Sequence, residues 1–279
     1  MASTATVRAS DDLQITPLHP QFGAAVRGID LRERPAAALT ARIRELLVQY
    51  KVLAFEDQPL EPGQLLAFAE AFGTPDLYPV GKDRYTSVLE INSGPDQQIK
   101  STNHWHSDTS GWERPAFAVL LHAREIPEVG GDTLFADMVA AYAGLPDAVK
   151  AEIDGLTAIH DEYGLSQYVS EAARRMLRRT YPPVEHPVVR VHPQTGAKIL
   201  YVNSLLTAAI KGYAPADSAR LLQYLCAQAT VPEYQIRYRW RRDSVLFWDN
   251  RSTQHYASAD YWPAVRRMDR ISIGGDKPF

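Results

Sequence analysis

Tyr234-Gln-Ile-Arg-Tyr-Arg-Trp-Arg-Arg-Asp-Ser-Val-Leu-Phe-Trp248 holds two short β-like runs, Tyr234 to Trp240 and Val245 to Trp248, joined by a polar turn. Arg270 to Ile273 follows closely as a third. Runs of this length, rich in Val, Ile, Tyr and Phe and bounded by turn residues, read as strands. Working outward, further runs lie at Val26 to Leu31, Val52 to Phe55, Thr86 to Ile91, Phe117 to His122, Val188 to His192 and Ile199 to Val202. Helical periodicity interrupts them. Leu39, Ile43, Leu46, Leu47 and Tyr50 form one apolar stripe within Ala38 to Tyr50, and Pro62 to Phe72 reads the same way, with Gly73 as its stop. Asp137 is placed to cap a helix ending near Leu145, Pro146 to start another, and Pro215 to Ala229 gives a further helical region. Two helices come early and the later strands cluster. Regular alternation of strand and crossover helix is missing, which disfavours a doubly wound sheet or a TIM barrel. The pattern predicts a mostly β chain with flanking helices, a sandwich or jelly roll.

The 279 residues are 45% hydrophobic and 23% charged, ordinary globular usage that excludes a fibrous or disordered chain. A single domain over 1–279 is expected, with 1–12 as a flexible N-terminus. The net charge of -3 with interspersed signs argues against a nucleic-acid partner. Cys226, the single cysteine, excludes an internal disulfide framework, and its apolar surroundings mark it as a packing thiol. Neither a signal-type apolar segment nor a bilayer-length run is present, so cytoplasm is expected and a membrane is not. Two polar segments look mobile, Asn92 to Asn103 and 161–185. The second exceeds the usual length of a connection and suits a lid over an active site.

The chemistry starts at His104-Trp-His-Ser-Asp108. Read as a strand, residues two apart share a face, so His106 and Asp108 can converge on one metal ion. A distant third ligand is required, and His255, in Trp248-Asp-Asn-Arg-Ser-Thr-Gln-His255, follows an apolar strand. Two imidazoles and one carboxylate on one face of Fe(II) leave three adjacent positions open, two for a chelating 2-oxo acid and one for O2. In Arg266-Arg-Met-Asp-Arg-Ile-Ser-Ile273, alternation puts Arg266 and Arg270 on one face and Arg267 on the other. Arg266 suits the fork that a distal carboxylate needs, and Arg270, one further step along the same face, would then lie nearer the second ligand.

Together with Gly130-Gly-Asp-Thr133-Leu-Phe135, these blocks resemble the taurine dioxygenase and 2,4-dichlorophenoxyacetate dioxygenase family. The run His186-Pro-Val-Val-Arg190-Val-His192-Pro193 and the ending Gly275-Asp-Lys-Pro-Phe279 resemble its taurine and alkylsulfatase branch. The resemblance runs from about Leu13 onward. It implies a double-stranded β-helix core of jelly-roll, cupin-like type. Fe(II) would be held by His106, Asp108 and His255, and the distal carboxylate of the cosubstrate 2-oxoglutarate by Arg266 and Thr133. It further implies hydroxylation of a small, anionic substrate at Arg270, release of succinate and CO2, and a homo-oligomer, dimer or tetramer. Tyr78, in Tyr78-Pro79, stands where taurine and alkylsulfate enzymes place a histidine, and Gly81 where the taurine enzyme has an aromatic ring. The expected substrate is therefore a larger anion than taurine: an alkyl or aryl sulfate, a sulfonate or a carboxylate. Tyr78, Thr102 and His104 join Arg270 as expected substrate contacts. Desaturation or ring formation on the same scaffold, and a non-catalytic metal-binding β-barrel, are the alternatives. Asp108 argues against halogenation, which needs a small residue in its place.

Overall fold

The fold is described from a computed structural model, which covers residues 13–81, 84–96, 102–162 and 170–279. In chain order come β1 (Gln14–Pro17), β2 (Ala24–Arg27), α1 (Ala37–Tyr50), β3 (Val52–Phe55), α2 (Pro62–Glu70), β4 (Tyr78–Gly81), β5 (Arg84–Thr86) and β6 (Leu89–Ser93). Next are β7 (Ala118–Glu125), β8 (Thr133–Asp137), α3 (Met138–Ala143), α4 (Asp147–Ile153), β9 (Thr157–His160) and α5 (Glu171–Thr180). The chain continues with β10 (Val184–Pro187), β11 (Val189–Val191), β12 (Lys198–Leu200), β13 (Thr207–Ile210) and α6 (Pro215–Ala227). The last strands are β14 (Gln235–Tyr238), β15 (Val245–Asp249), β16 (Thr253–Ala257) and β17 (Arg266–Ile273).

A seven-stranded sheet, β1-β2-β3-β15-β7-β17-β6, faces a three-stranded sheet, β14-β8-β16. Apart from the parallel β2–β3 contact, the pairings in these two sheets are antiparallel. The large sheet has two apolar faces because its strands alternate. Val245 and Phe247 of β15, Leu53 and Phe55 of β3, and Ile271 and Ile273 of β17 face one cluster with Leu46, Leu47, Leu65 and Phe68 of the two early helices. Leu246 and Trp248, Val52 and Ala54, and Met268 face the other way, onto Phe135, Ile236 and Tyr238 of the small sheet. Each large apolar side chain so removed from water contributes about 2 kcal/mol, which is why a register slip is disfavoured here. Behind the small sheet, α3, α4 and α6 close a third apolar cluster around Ala136, Ile153 and Leu225. Cys226 packs at its margin, and burial pushes its thiol up to about 12, so the thiolate is suppressed. The layers are helices, sheet, core, sheet and helices, a jelly-roll arrangement as expected.

Several boundaries differ from the sequence reading. The run Val26 to Leu31 is strand only to Arg27, because Gly28 takes a φ of 88° and turns the chain. Thr86 to Ile91 is broken into β5 and β6, since the Thr86 hydroxyl donates to the Val88 carbonyl and accepts from its N–H, which closes a local turn. Asp137 caps α3 as expected, accepting from the N–H groups of Val139 and Ala140. The segment 161–185 is not a plain loop: 171–180 form α5, while 163–169 lie outside the described residues. Asn92 belongs to β6, paired with Arg267, and 97–101 lie outside the described residues, as do 1–12. No helix among the described residues is long and apolar enough to cross a membrane.

Candidate metal centre and the flanking arginines

His106, Asp108 and His255 meet. One ligand atom from each lies within 4.8 Å of the others, and all three residues are buried. His106 and His255 exchange main-chain hydrogen bonds of 3.1 and 2.8 Å, an isolated bridge that anchors the first ligand to β16. Beyond His106 the chain is not a strand, contrary to the sequence reading. It folds into a turn in which Thr109 has a φ of 54°, and the Thr109 hydroxyl accepts from Ala116 N–H. Convergence therefore comes from this turn and from Asn250, whose side-chain oxygen accepts from Asp108 N–H at 2.8 Å. The Asn250 amide nitrogen donates to the carbonyls of Asp108 and Ala116.

The Nε2 atoms of His106 and His255 lie 3.6 and 3.9 Å from the two oxygens of Asp108. His106 Nδ1 donates to the His104 carbonyl at 2.7 Å, which leaves the Nε2 lone pair free. Burial favours a protonated Asp108, yet Arg270, His255 and His106 together hold it well below the usual carboxylate range. Burial and then His106 push His255 down to about 3. A carboxylate beside a neutral imidazole is the protonation state that binds a metal cation. Asp108 Oδ2 has no hydrogen-bond partner among the described residues. An orphaned buried carboxylate oxygen beside two free imidazole nitrogens fits a divalent ion, and the absence of thiolate suits Fe(II) or Mn(II).

On one side, β8 and β16 pair Phe135 with His255 and Thr133 with Ala257. Thr133 therefore projects from the same face as Phe135, one step along. Its hydroxyl oxygen accepts from Trp240 Nε1 at 2.9 Å and keeps its own proton to donate. Arg266 is 6% exposed, donates from Nε to the Gly131 carbonyl at 3.2 Å, and sits 5.9 Å from the Trp240 and Tyr261 ring centroids. Its Nη2 has no partner among the described residues. A buried guanidinium with an unused edge next to a free hydroxyl can take a carboxylate. Gly131 is required there, with a φ of 71° and only 3.2 Å between an added Cβ and Arg266 Cδ.

On the other side, Arg270 lies 3.4 Å from Asp108 Oδ1 and donates to the Tyr78 oxygen at 3.3 Å and to the Ser272 hydroxyl. Tyr78 accepts from Arg270, and burial raises its phenol, so its O–H stays available as a donor. Tyr78, Trp112 and Tyr181 continue as an aromatic wall, the last two stacked at 4.7 Å. Thr102 and His104 contribute main-chain carbonyls, to Ala257 N–H and to His106 Nδ1. The sequence reading missed Asn250 as the clamp on Asp108. It also missed the fully buried Asp249, which Arg251 grips through two nitrogens and His192 meets at 3.0 Å. Both lie in the block quoted for His255, where polar residues directly following an apolar strand were the available signal.

The pattern of the taurine catabolism dioxygenase TauD, TfdA family matches residues 14–272. The alpha-ketoglutarate-dependent sulfate ester dioxygenase of Pseudomonas putida is 34% identical, with 99% of this chain and 94% of that protein covered. The alpha-ketoglutarate-dependent 2,4-dichlorophenoxyacetate dioxygenase of Cupriavidus pinatubonensis is also 34% identical, over 93% of this chain and 97% of that one. Among solved structures, AAD-2 in complex with Mn(II) and N-oxalylglycine superposes with a TM-score of 0.83 at 29% identity, covering 95% of this chain and 98% of that one. Family pattern, relatives and site chemistry agree, and the chain belongs to the TauD/TfdA family as a 2-oxoglutarate-dependent oxidoreductase.

Proposed function

We propose that His106, Asp108 and His255 hold one Fe(II), that Arg266 and Thr133 hold the distal carboxylate of 2-oxoglutarate, and that Arg270 and Tyr78 receive the anionic group of the primary substrate. The observation that carries this reading is the meeting of three ligand atoms within 4.8 Å, flanked by a buried and a half-buried arginine from the same strand. The product is an alcohol, formed with succinate and CO2. Sulfate esters, sulfonates and aryloxy carboxylates are the substrate classes, in keeping with the activities for which the relatives are named. When bound, the iron with its 2-oxo acid and O2 supplies the oxidising power that replaces a substrate C–H by C–OH. The protein's part is placement. Arg266, fixed by Gly131 and Trp240, sets the depth of the cosubstrate. Arg270 and the Tyr78 hydroxyl orient the substrate so that one carbon faces the metal. The Trp112–Tyr181 stack walls off solvent, which limits unproductive oxidation of the pocket itself. Where the hydroxylated carbon bears a sulfate or ether oxygen, the alcohol collapses to a carbonyl and expels the leaving group. The same reading takes the chain as one cytoplasmic domain that works as a homo-oligomer.

Anaerobic addition of Fe(II) and 2-oxoglutarate should give the weak visible charge-transfer band of the chelate, and a colourless mixture would refute the assignment. Succinate release across sulfates, sulfonates and aryloxy acids then identifies the substrate class.

A further inference from the structure

Two residues past the end of β9, Glu162 places a carboxyl deep in the molecule, only 6% exposed. Its Oε1 has no hydrogen-bond partner among the described residues. It lies within electrostatic reach of Asp108, Arg270 and His106, beside the metal centre. Arg270 is nevertheless not its ion-pair partner. Among the described residues the carboxylate within reach of that guanidinium is Asp108, at 3.4 Å. Room for Glu162 is made by Gly111, three residues after Asp108. A Cβ there would stand 2.7 Å from Glu162 Oε1 and 3.0 Å from its Cγ, and no other group comes as near. Burial and then Asp108 push Glu162 up to about 7, against Arg270 and His106.

A buried carboxyl oxygen without a partner is costly on general grounds, and a carboxylate so placed is stabilised by an N–H or ammonium donor. Neither the metal ligands nor Arg270 supplies one. A guanidinium and a carboxyl with one unpartnered oxygen, both near one metal site, present opposite charges to one ligand. We propose that Glu162 is a specificity-determining residue, which with Arg270 selects a zwitterionic primary substrate: its anionic group on the guanidinium, its protonated nitrogen on the Glu162 carboxylate. This rests on the oxygenase reading of the same site and narrows its substrate class.

The test uses matched ligands, propyl and hexyl sulfate against their terminal-amino analogues. Each is titrated calorimetrically into the anaerobic protein loaded with Fe(II) and 2-oxoglutarate. The wild type should bind at least one amino analogue about tenfold more tightly than its partner, the scale of one charge-assisted contact. Glu162→Gln, nearly isosteric, should bring that ratio close to one while the unaminated ligand binds as before. Gly111→Ala, which displaces the carboxyl without altering its charge, should lower the ratio as well. A wild-type ratio near one, binding of neither member, or a ratio unchanged in Glu162→Gln would overturn the proposal. A missing charge-transfer band would overturn the oxygenase reading and this proposal together, whereas a normal band without discrimination overturns this proposal alone.

Discussion

Replacing Asn250 by alanine should loosen the metal centre without touching a ligand. The Asn250 side chain is fully buried and makes three hydrogen bonds of 2.8 to 3.0 Å, two to the main chain of Asp108 and one to that of Ala116. Each bond contributes about 1 kcal/mol net, and its loss strands a buried partner that costs a further fraction, so the variant should be destabilised by about 3–5 kcal/mol. The Asp108 carboxylate would no longer be held at a fixed height under the Nε2 atoms of His106 and His255. Removing the supports of a metal ligand commonly weakens metal binding by about 10–100-fold. Equilibrium urea unfolding of the metal-free protein measures the first effect, and Mn(II) titration at a temperature where the variant is folded measures the second. A loss below about 1 kcal/mol together with unchanged Mn(II) affinity would show that the turn after His106 holds itself, and the argument for Asn250 would fail.

Four further outcomes follow from the geometry. Arg266→Ala should raise the 2-oxoglutarate requirement about a hundredfold or more, as expected when one partner of a buried charge pair is removed, while Arg270→Ala spares it and weakens the primary substrate. Equal effects on both in steady-state kinetics would refute that division. Gly131→Ala places a side chain at a φ of 71° and against Arg266, so it should lose about 1–2 kcal/mol of stability and raise the KM for 2-oxoglutarate more than it lowers kcat. His160 is fully buried, with neither ring nitrogen bonded among the described residues, and burial pushes it down to about 3. The unfolded chain takes up the proton near pH 6.5 and the folded one does not, so stability should fall by up to about 1.4 kcal/mol per pH unit between pH 6.5 and 3, and His160→Phe should flatten that slope in urea melts. Asp249 moves in the same direction at lower pH. Burial opposes its ionisation, but the His192 hydrogen bond and Arg251 hold it below the usual range, so Asp249→Asn should lose stability at neutral pH and show a shallower decline below about pH 4 in the same melts.

What the sequence made legible was periodic. The continuous apolar run of β15 and the alternation along β17 marked the large sheet, and the stripe from Leu39 to Tyr50 marked α1, because a strand buried on both faces is apolar throughout and a helix is buried at every third and fourth residue. The metal ligands were legible by chemistry, His-x-Asp followed by a distant histidine, but their geometry was not. Position 108 reaches position 106 through a turn whose shape depends on Asn250, 142 residues away, and no local pattern encodes such a contact. The same limit hid the break at Thr86 to Val88, where a hydroxyl bonding its own neighbourhood outweighed β propensity.

One consequence of the alternation reaches the chemistry directly. Arg266, Met268 and Arg270 share a face of β17, and Met268 is in the core between the two sheets, so both arginines are directed inward by the same packing that buries Met268. Four residues of strand separate their Cα atoms by roughly 13 Å. That spacing is set by backbone geometry rather than by flexible loops. With Asp108 only 3.4 Å from Arg270, the carboxylate of the candidate metal site lies against the Arg270 end of the strand. The pairing with β7 shifts register between Arg267 and Met268, where β7 carries one extra residue, Arg124, and this bulge falls between the two arginines. A bulge raises the local twist of the paired strands, so the angle between Arg266 and Arg270 depends on this one irregularity. Deleting Arg124 to remove the bulge should therefore impair 2-oxoglutarate and substrate binding together, measured as Kd for each, even though Arg124 itself pairs with Asp269 on the opposite face at 3.7 Å. Independent changes in the two affinities would mean that loops, not the strand, set their geometry.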